Sequence, residues 1–172
     1  MARLVLETPM GWLWASARDG RVTACSFGHP TRREAEAASA AAAGEGTEDA
    51  LLARLAQDLC RYFAGAPVNL SAYPVDVSAQ PPFRRRALLA ARGIPYGQVR
   101  TYGWLAAQAG RPTGARAAGQ AMARNPVGLL VPCHRVVAAG GRIGGFGGGP
   151  AMKRALLQLE GVRFEGALVR AG

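Results

Sequence analysis

Cys133-His134-Arg135 stand together inside the apolar run LLVPCHRVVA at positions 129–138. A cysteine thiolate is a nucleophile, and an imidazole nearby can take the proton that creates it. The flanks Leu129-Leu130-Val131 and Val136-Val137-Ala138 are short and rich in strand formers, which predicts buried strand segments with the polar triplet close to a core. Pro132 fixes the backbone before Cys133 and has no N–H, so it interrupts the strand and presents the thiol at a turn. Consecutive strand side chains face opposite ways, so contact between Cys133 and His134, direct or through water, requires the chain to bend here. Taken alone, the pair also fits an inert buried thiol. Glu160 is one of only two acidic residues after position 78 and is the candidate to orient His134.

The segment Gly140-Gly141-Arg142-Ile143-Gly144-Gly145-Phe146-Gly147-Gly148-Gly149 follows. It is too glycine-dense to pack as an element and suits a loop whose backbone approaches a ligand. It lacks the strand-then-helix context of GxGxxG and a Walker lysine, which argues against a nucleotide phosphate cradle. A helix from Ala151 to Leu159 comes next and leads to Glu160-Gly161.

The elements that must hold these residues are partly legible. Leu4–Leu6, Gly11–Ala17 and Val22–Phe27 read as strands, with Asp19-Gly20 at a hairpin turn between the last two. Thr31–Ala43 is charged and alanine-rich, and Asp49–Phe63 carries Leu51, Leu52, Leu55, Leu59 and Phe63 at helical spacing. The proline pair Pro81-Pro82 coincides with a shift in charge, which places a boundary between lobes 1–78 and 79–172. Beyond it, Phe83–Arg92 reads as a helix, Thr101 as the N-cap of a short helix to Gln108, and Thr113–Arg124 as a second helix after a glycine turn. Such a pair is a helix-turn-helix candidate. The second helix is nearly all alanine and glycine, with Arg116 projecting. Gly119 within it costs about 1 kcal/mol relative to alanine. Tight packing inside the lobe and entry into a narrow DNA groove explain that composition equally well.

Charge divides the chain. Residues 1–78 hold seven arginines against nine acids, whereas 79–172 hold thirteen arginines and one lysine against Glu160 and Glu165. A one-sided positive field attracts polyanions, nucleic acid above all. Biased composition would add arginine without removing acids from one half. At 172 residues and 49% hydrophobic content the chain supports a real core, and no run of about 18 apolar residues or signal-peptide pattern is visible. A non-exported protein in the cytoplasm is expected. Three dispersed cysteines, Cys25, Cys60 and Cys133, argue against a disulfide framework. Cys25 and His29 have the spacing of half a zinc site, but two further ligands are wanting. No metal is expected, and Cys60 is read as a core residue of its helix.

The order YGQVRTYGWLAAQAG, GARAAGQAMARNPVGLLVPCHRVV, GG-IGGFGGG and K-ALLQLEG resembles the O6-alkylguanine-DNA alkyltransferase (methylated-DNA-protein-cysteine methyltransferase) family, most strongly over residues 95–165. The N-terminal TPMGWLWA with its hairpin resembles the family's first lobe. The resemblance implies an α/β (α+β) fold: a small ribonuclease-H-like N-terminal lobe, then a winged-helix-like helix-turn-helix lobe. It implies direct-reversal repair, in which Cys133 takes the alkyl group from O6-alkylguanine, and from O4-alkylthymine, once and irreversibly after base flipping. His134 then acts as base through a water and Glu160 holds its ring. Asn125 ties the recognition helix to the active-site turn, and Tyr102 donates to the guanine ring nitrogen. Arg116 is the finger entering the base stack, with Ala115, Ala117, Gly119 and Thr101 against DNA. Val136, Phe146, Gly147 and Gly148 form the substrate pocket. Phe146 departs from the tyrosine expected of the family and offers no hydroxyl. The implied partner is double-stranded DNA containing alkylated bases, met by a monomer without cofactor or membrane. A non-catalytic damage recogniser, a winged-helix regulator and a cysteine hydrolase are the competing readings. The first would have replaced Cys133, the second leaves Cys133, His134 and Glu160 unexplained, and the third lacks a specificity pocket.

Overall fold

A computed structural model describes residues 2–42 and 50–169, which form two compact units: Met1–Asp76 with Pro126–Leu130, and Val77–Asn125 with Val131–Gly172. Residues 126–130 thus group with the first unit although they follow the helix-turn-helix in sequence.

In the first unit, β1 (Ala2–Thr8), β2 (Gly11–Arg18) and β3 (Arg21–His29) form an antiparallel meander in the order β1-β2-β3. Asp19 and Gly20 close the second hairpin with φ of 52° and 68°, the conformation a two-residue turn requires. Helix α1 (Arg32–Ala42) opens with a reciprocal cap, in which Glu34 N donates to Thr31 Oγ1 and Thr31 N to Glu34 Oε2, each at 3.2 Å. Helix α2 (Ala50–Phe63) buries Leu52, Leu55, Leu59, Tyr62 and Phe63, and full burial of each leucine contributes about 2–3 kcal/mol. Ala43 and Asp49, read as helix ends, lie outside the described residues. Cys60 is exposed, which corrects its reading as core: the apolar stripe of α2 turns inward and leaves Cys60 on the outer face. Val127 bridges Cys25 of β3, and Gly128 N donates to Cys25 O at 2.8 Å.

Leu129 and Leu130 are a turn, not the predicted strand, and Leu129 adopts φ 67°. Strand propensity yields here to the reversal the chain must make.

The second unit begins with α3 (Pro82–Ala91), then β4 (Arg100–Thr101), α4 (Tyr102–Gln108) and α5 (Ala115–Ala123). Thr101 Oγ1 accepts from Trp104 N at 3.1 Å and caps α4 as predicted. Arg86 Nε of α3 donates to Ala109 O at 2.8 Å, satisfying a carbonyl at the end of α4. Helix α5 starts two residues later than its sequence suggests, because Gly114 N bonds Arg111 O at 2.8 Å and keeps 111–114 as a turn. Helices α4 and α5 form the expected helix-turn-helix pair. β5 (Val136–Val137) pairs in parallel with β4. Helix α6 (Gly149–Leu159) and the hairpin β6 (Phe164–Glu165) and β7 (Leu168–Val169) complete the unit. Val137, Leu157, Val162 and Val169 form a core cluster beneath the site.

Candidate active site

Residues Cys133–Arg135 form a single 3-10 turn, closed by Arg135 N donating to Pro132 O at 2.9 Å. The turn supplies the bend that adjacent reactive side chains need. Cys133 is partly exposed, whereas His134 and Arg135 are buried. Cys133 lines a cavity of about 500 Å³ together with Tyr102, Ala115, Arg116, Gly119, Gln120, Met122, Ala123, Gly145, Phe146 and Gly147.

Behind the turn, Glu160 gathers four donors. His134 Nε2 lies 2.7 Å from Oε1, Arg135 Nε 2.8 Å from Oε2, Arg135 Nη2 3.0 Å from Oε1, and Gly97 N 3.2 Å from Oε2. Glu160 caps the C-terminus of α6, where the helix dipole disfavours an anion. Burial opposes its ionisation, but the interaction with His134 and then the hydrogen bonds and charge of Arg135 outweigh that and hold the carboxyl well below the usual range. Gly97 must be glycine: it has φ 73°, and a Cβ there would meet Glu160 O at 2.9 Å. Burial lowers the pKa of His134, with Arg135 and Lys153 adding to the effect, so the ring is neutral at physiological pH. With Glu160 ionised, the ring proton sits on Nε2 and the lone pair on Nδ1.

Burial pushes the Cys133 thiol above its ordinary value, while a hydrogen bond from Asn125 and the charge of Lys153 pull it down. Asn125 Nδ2 also donates to Val131 O at 2.8 Å, the same carbonyl that accepts Cys133 N at 2.8 Å. The end of α5 and the cysteine turn are thereby tied to one acceptor.

Tyr102 opens α4. Its hydroxyl donates to Gly145 O at 3.2 Å and accepts from Lys153 Nζ at 3.3 Å. Gly144, at φ 72°, admits this ring; its Cβ would stand 3.0 Å from Tyr102 Cε2.

The structure brings Cys133, Tyr102, Arg116, Ala115, Gly119, Phe146 and Gly147 to one cavity, with His134, Glu160 and Asn125 directly behind. It does not bring every expected residue to the wall. Val136 is fully buried and offers its carbonyl to Lys153, Ala117 is half-buried beside the cavity lining, Gly148 faces Met152, and Thr101 is occupied as a cap. Arg135 and Lys153 received no role from sequence, although both are buried within the site. Their signals were present: Arg135 adjoins the Cys-His pair, and Lys153 is the single lysine in the chain. In the first unit, Cys25 is buried with its thiol pushed to about 12 by burial, and His29 Nε2 lies 3.0 Å from Ser26 Oγ. Among the described residues, no three His, Cys, Asp or Glu side chains gather as a metal set.

Residues 1–77 match the family model of the 6-O-methylguanine DNA methyltransferase ribonuclease-like domain, and residues 82–162 that of its DNA binding domain. A methylated-DNA-protein-cysteine methyltransferase of Mycobacterium bovis is 46% identical over 100 residues, a match covering 58% of this chain and 59% of that protein. One from Saccharolobus islandicus is 41% identical over 121 residues, covering 70% and 77%. The crystal structure of Mycobacterium tuberculosis OGT in complex with DNA superimposes with a TM-score of 0.75 at 33% identity, covering 93% of this chain and 92% of that one. The match to the mycobacterial relative thus spans less than two thirds of its length, while the archaeal and structural matches extend further. Two family models, one for each part of the chain, and these relatives agree: the chain belongs to the methylated-DNA-protein-cysteine methyltransferase family.

Proposed function

We propose that this protein repairs DNA by direct reversal, moving the alkyl group of O6-alkylguanine, and of O4-alkylthymine, onto Cys133 in one irreversible step. The observation that carries this reading is a nucleophilic cysteine opening onto a cavity walled by a helix-turn-helix, with a neutral histidine held by a buried carboxylate behind it. Burial keeps the thiol protonated at rest, so a base is needed when substrate arrives. His134 supplies it through Nδ1 and a bridging water, while Glu160 fixes the tautomer and Arg135 keeps Glu160 charged. The thiolate attacks the alkyl carbon, the C–O bond breaks, and O6 keeps the electron pair. Tyr102 donates its hydroxyl proton to a guanine ring nitrogen, which makes the leaving base less basic. A thioether has no hydrolytic route back, so each molecule acts once.

The lesion must leave the helix to reach Cys133, at a cost of a few kcal/mol of stacking. Arg116, exposed at the first turn of α5 and lining the cavity, fills the vacated stack. The slim surface of α5 suits close approach to the minor groove, and Asn125 couples that helix to the reactive turn. A monomer acting on duplex DNA in the cytoplasm is the setting we propose; among the described residues no helix is long and apolar enough to cross a membrane. Intact-protein mass spectrometry after incubation with a duplex carrying one O6-methylguanine is the test, beside Cys133→Ser. A gain of one methyl group, absent in the variant, is expected. Unchanged mass with retained lesion binding would replace this reading with a non-catalytic damage recogniser.

A further inference from the structure

Helix α5 presents Arg116, Gly119, Gln120 and Ala123 to the cavity beside Cys133. Its nine residues are ARAAGQAMA, so Gln120 is the one side chain of the helix that carries a strong hydrogen-bond acceptor. The residue is exposed, and among the described residues its amide meets no hydrogen-bond partner. Packing does not account for it, because the helix owes its slim shape to alanine and glycine at nearly every other position. Gln120 follows Arg116 by four residues, which sets the two side chains on one face, about 6 Å apart along the axis. Stacked base pairs are about 3.4 Å apart. With Arg116 in the vacated stack, Gln120 therefore faces the minor groove one to two base pairs away.

Resting on the reading in which α5 enters the minor groove during alkyl transfer, we propose that Gln120 is a specificity-determining residue: its amide recognises a guanine flanking the lesion and makes repair depend on sequence context. Every base pair offers acceptors in the minor groove, so a donor placed there tells no pair from another. Guanine alone adds a donor, its N2 amino group. A primary amide matches guanine with two bonds at once, its NH2 donating to N3 and its oxygen accepting from N2. At an A·T pair the amide oxygen faces no donor, and one bond remains.

The neighbouring side chains do not make this distinction. Arg116 has donors and no acceptor. Tyr102 Oη already accepts from Lys153 Nζ at 3.3 Å and donates to Gly145 O at 3.2 Å. Gly119 and Ala123 bring no polar group, and the thioether of Met122 is a weak acceptor. Arg116 thus supplies an insertion that is blind to sequence, and Gln120 supplies discrimination one helical turn further on.

The test is single-turnover methyl uptake by the full chain, with DNA well below saturation. The duplexes carry one O6-methylguanine and a guanine placed in turn at each position up to two base pairs away on either strand; each guanine is then replaced by inosine, which lacks only the N2 amino group. At one of these positions inosine should slow uptake by about fivefold, the lower end for a bidentate contact between side chain and base. Inosine also weakens the flanking pair and eases extrusion, so a loss of this sign does not come from duplex stability. Putting 2,6-diaminopurine opposite thymine at that position restores the amino group and should restore the rate. Gln120→Met keeps the length and a good helix former without the amide, and should shrink the guanine-to-inosine ratio to less than about twofold. Each ratio compares two duplexes with one protein, so a general loss of activity or stability in the variant cancels. A wild-type rate indifferent to inosine at every position, or a ratio that survives in Gln120→Met, would overturn the proposal. If the wild type takes up no methyl group from any duplex, the functional reading falls, and the affinities of Cys133→Ser for the same guanine and inosine duplexes decide the role of Gln120. A difference of about fivefold that Gln120→Met abolishes supports it, and equal affinities refute it.

Discussion

Replacing Glu160 by glutamine tests the buried carboxylate on which the site is assembled. The substitution preserves shape, but one acceptor oxygen becomes an NH2 donor facing donors already aimed at it. Glu160 accepts two bonds from Arg135, one from His134 and one from Gly97, with its side chain 0% exposed and that of Arg135 4% exposed. No water can replace the lost charge there. Removing one partner of a buried pair costs about 3–5 kcal/mol, mostly from the charge left behind. For a protein of this size each kcal/mol moves the melting temperature by about 2–4 °C, so the midpoint should fall by roughly 6–20 °C. Alkyl transfer should drop by roughly 10²–10⁴-fold, since His134 loses the partner that fixes its tautomer and orientation. Thermal denaturation and single-turnover methyl uptake measure both. The double variant Arg135→Met/Glu160→Gln removes the stranded guanidinium and should recover part of the stability without recovering the rate. A midpoint within about 2 °C of wild type, or a double variant less stable than the single one, would refute the assignment of the cost to unpaired Arg135.

Three other outcomes are expected. His134 and Glu160 both have lowered pKa values in the fold, from reference values of 6.5 and 4.5, so below pH 6.5 the native state binds fewer protons than the unfolded chain. Their stabilisation is present at neutral pH and is lost on acidification through that window; urea midpoints that hold constant or rise from pH 7 to pH 4 would contradict the sign. A Cβ at Gly119 would make only ordinary contact with the Tyr102 ring at 3.9 Å, so Gly119→Ala should stabilise α5 by up to about 1 kcal/mol while slowing reaction with duplex DNA. Slower reaction with free O6-benzylguanine by the same factor would show that DNA approach is not what requires the glycine. Finally, a cavity of about 500 Å³ edged by Gly145, Phe146 and Gly147 has room for a benzyl group, and O6-benzylguanine should alkylate Cys133; its exclusion, seen as unchanged protein mass, would mean that Phe146 closes the pocket.

Where structure followed local chemistry, the sequence was legible. Asp19-Gly20 dictated a hairpin because few other dipeptides hold two positive φ values, and Thr101 dictated a helix start because its hydroxyl satisfies an amide the helix leaves free. The leucine stripe of α2 is equally local. Leu129 defeated the reading because three strand-forming residues gave no sign that the chain reverses there. Cys60 defeated it because residue type alone does not say which face of an amphipathic helix is already full. Helix α5 began late for a similar reason: a start at Thr113 overlooks the turn that Gly114 N and Arg111 O close before the helix.

The site divides along the same line. Cys133, His134 and Glu160 stood out by reactivity and by the scarcity of acids in the basic half. Arg135 and Lys153 did not, since positive charge there is common and their partners are mainly distant: Glu160 is 25 residues from Arg135, and Tyr102 is 51 from Lys153. Charge counting treats all of these cations as one population attracted to DNA. The structure separates them by burial. Among the described residues no ion pair engages exposed Arg116, which suits phosphate or base contact. Arg135, permanently charged, is matched to a permanent buried anion. Lys153, fully buried, is held by Val136 O, Gly145 O and the Tyr102 hydroxyl, so its charge is spent inside the lobe and not on DNA.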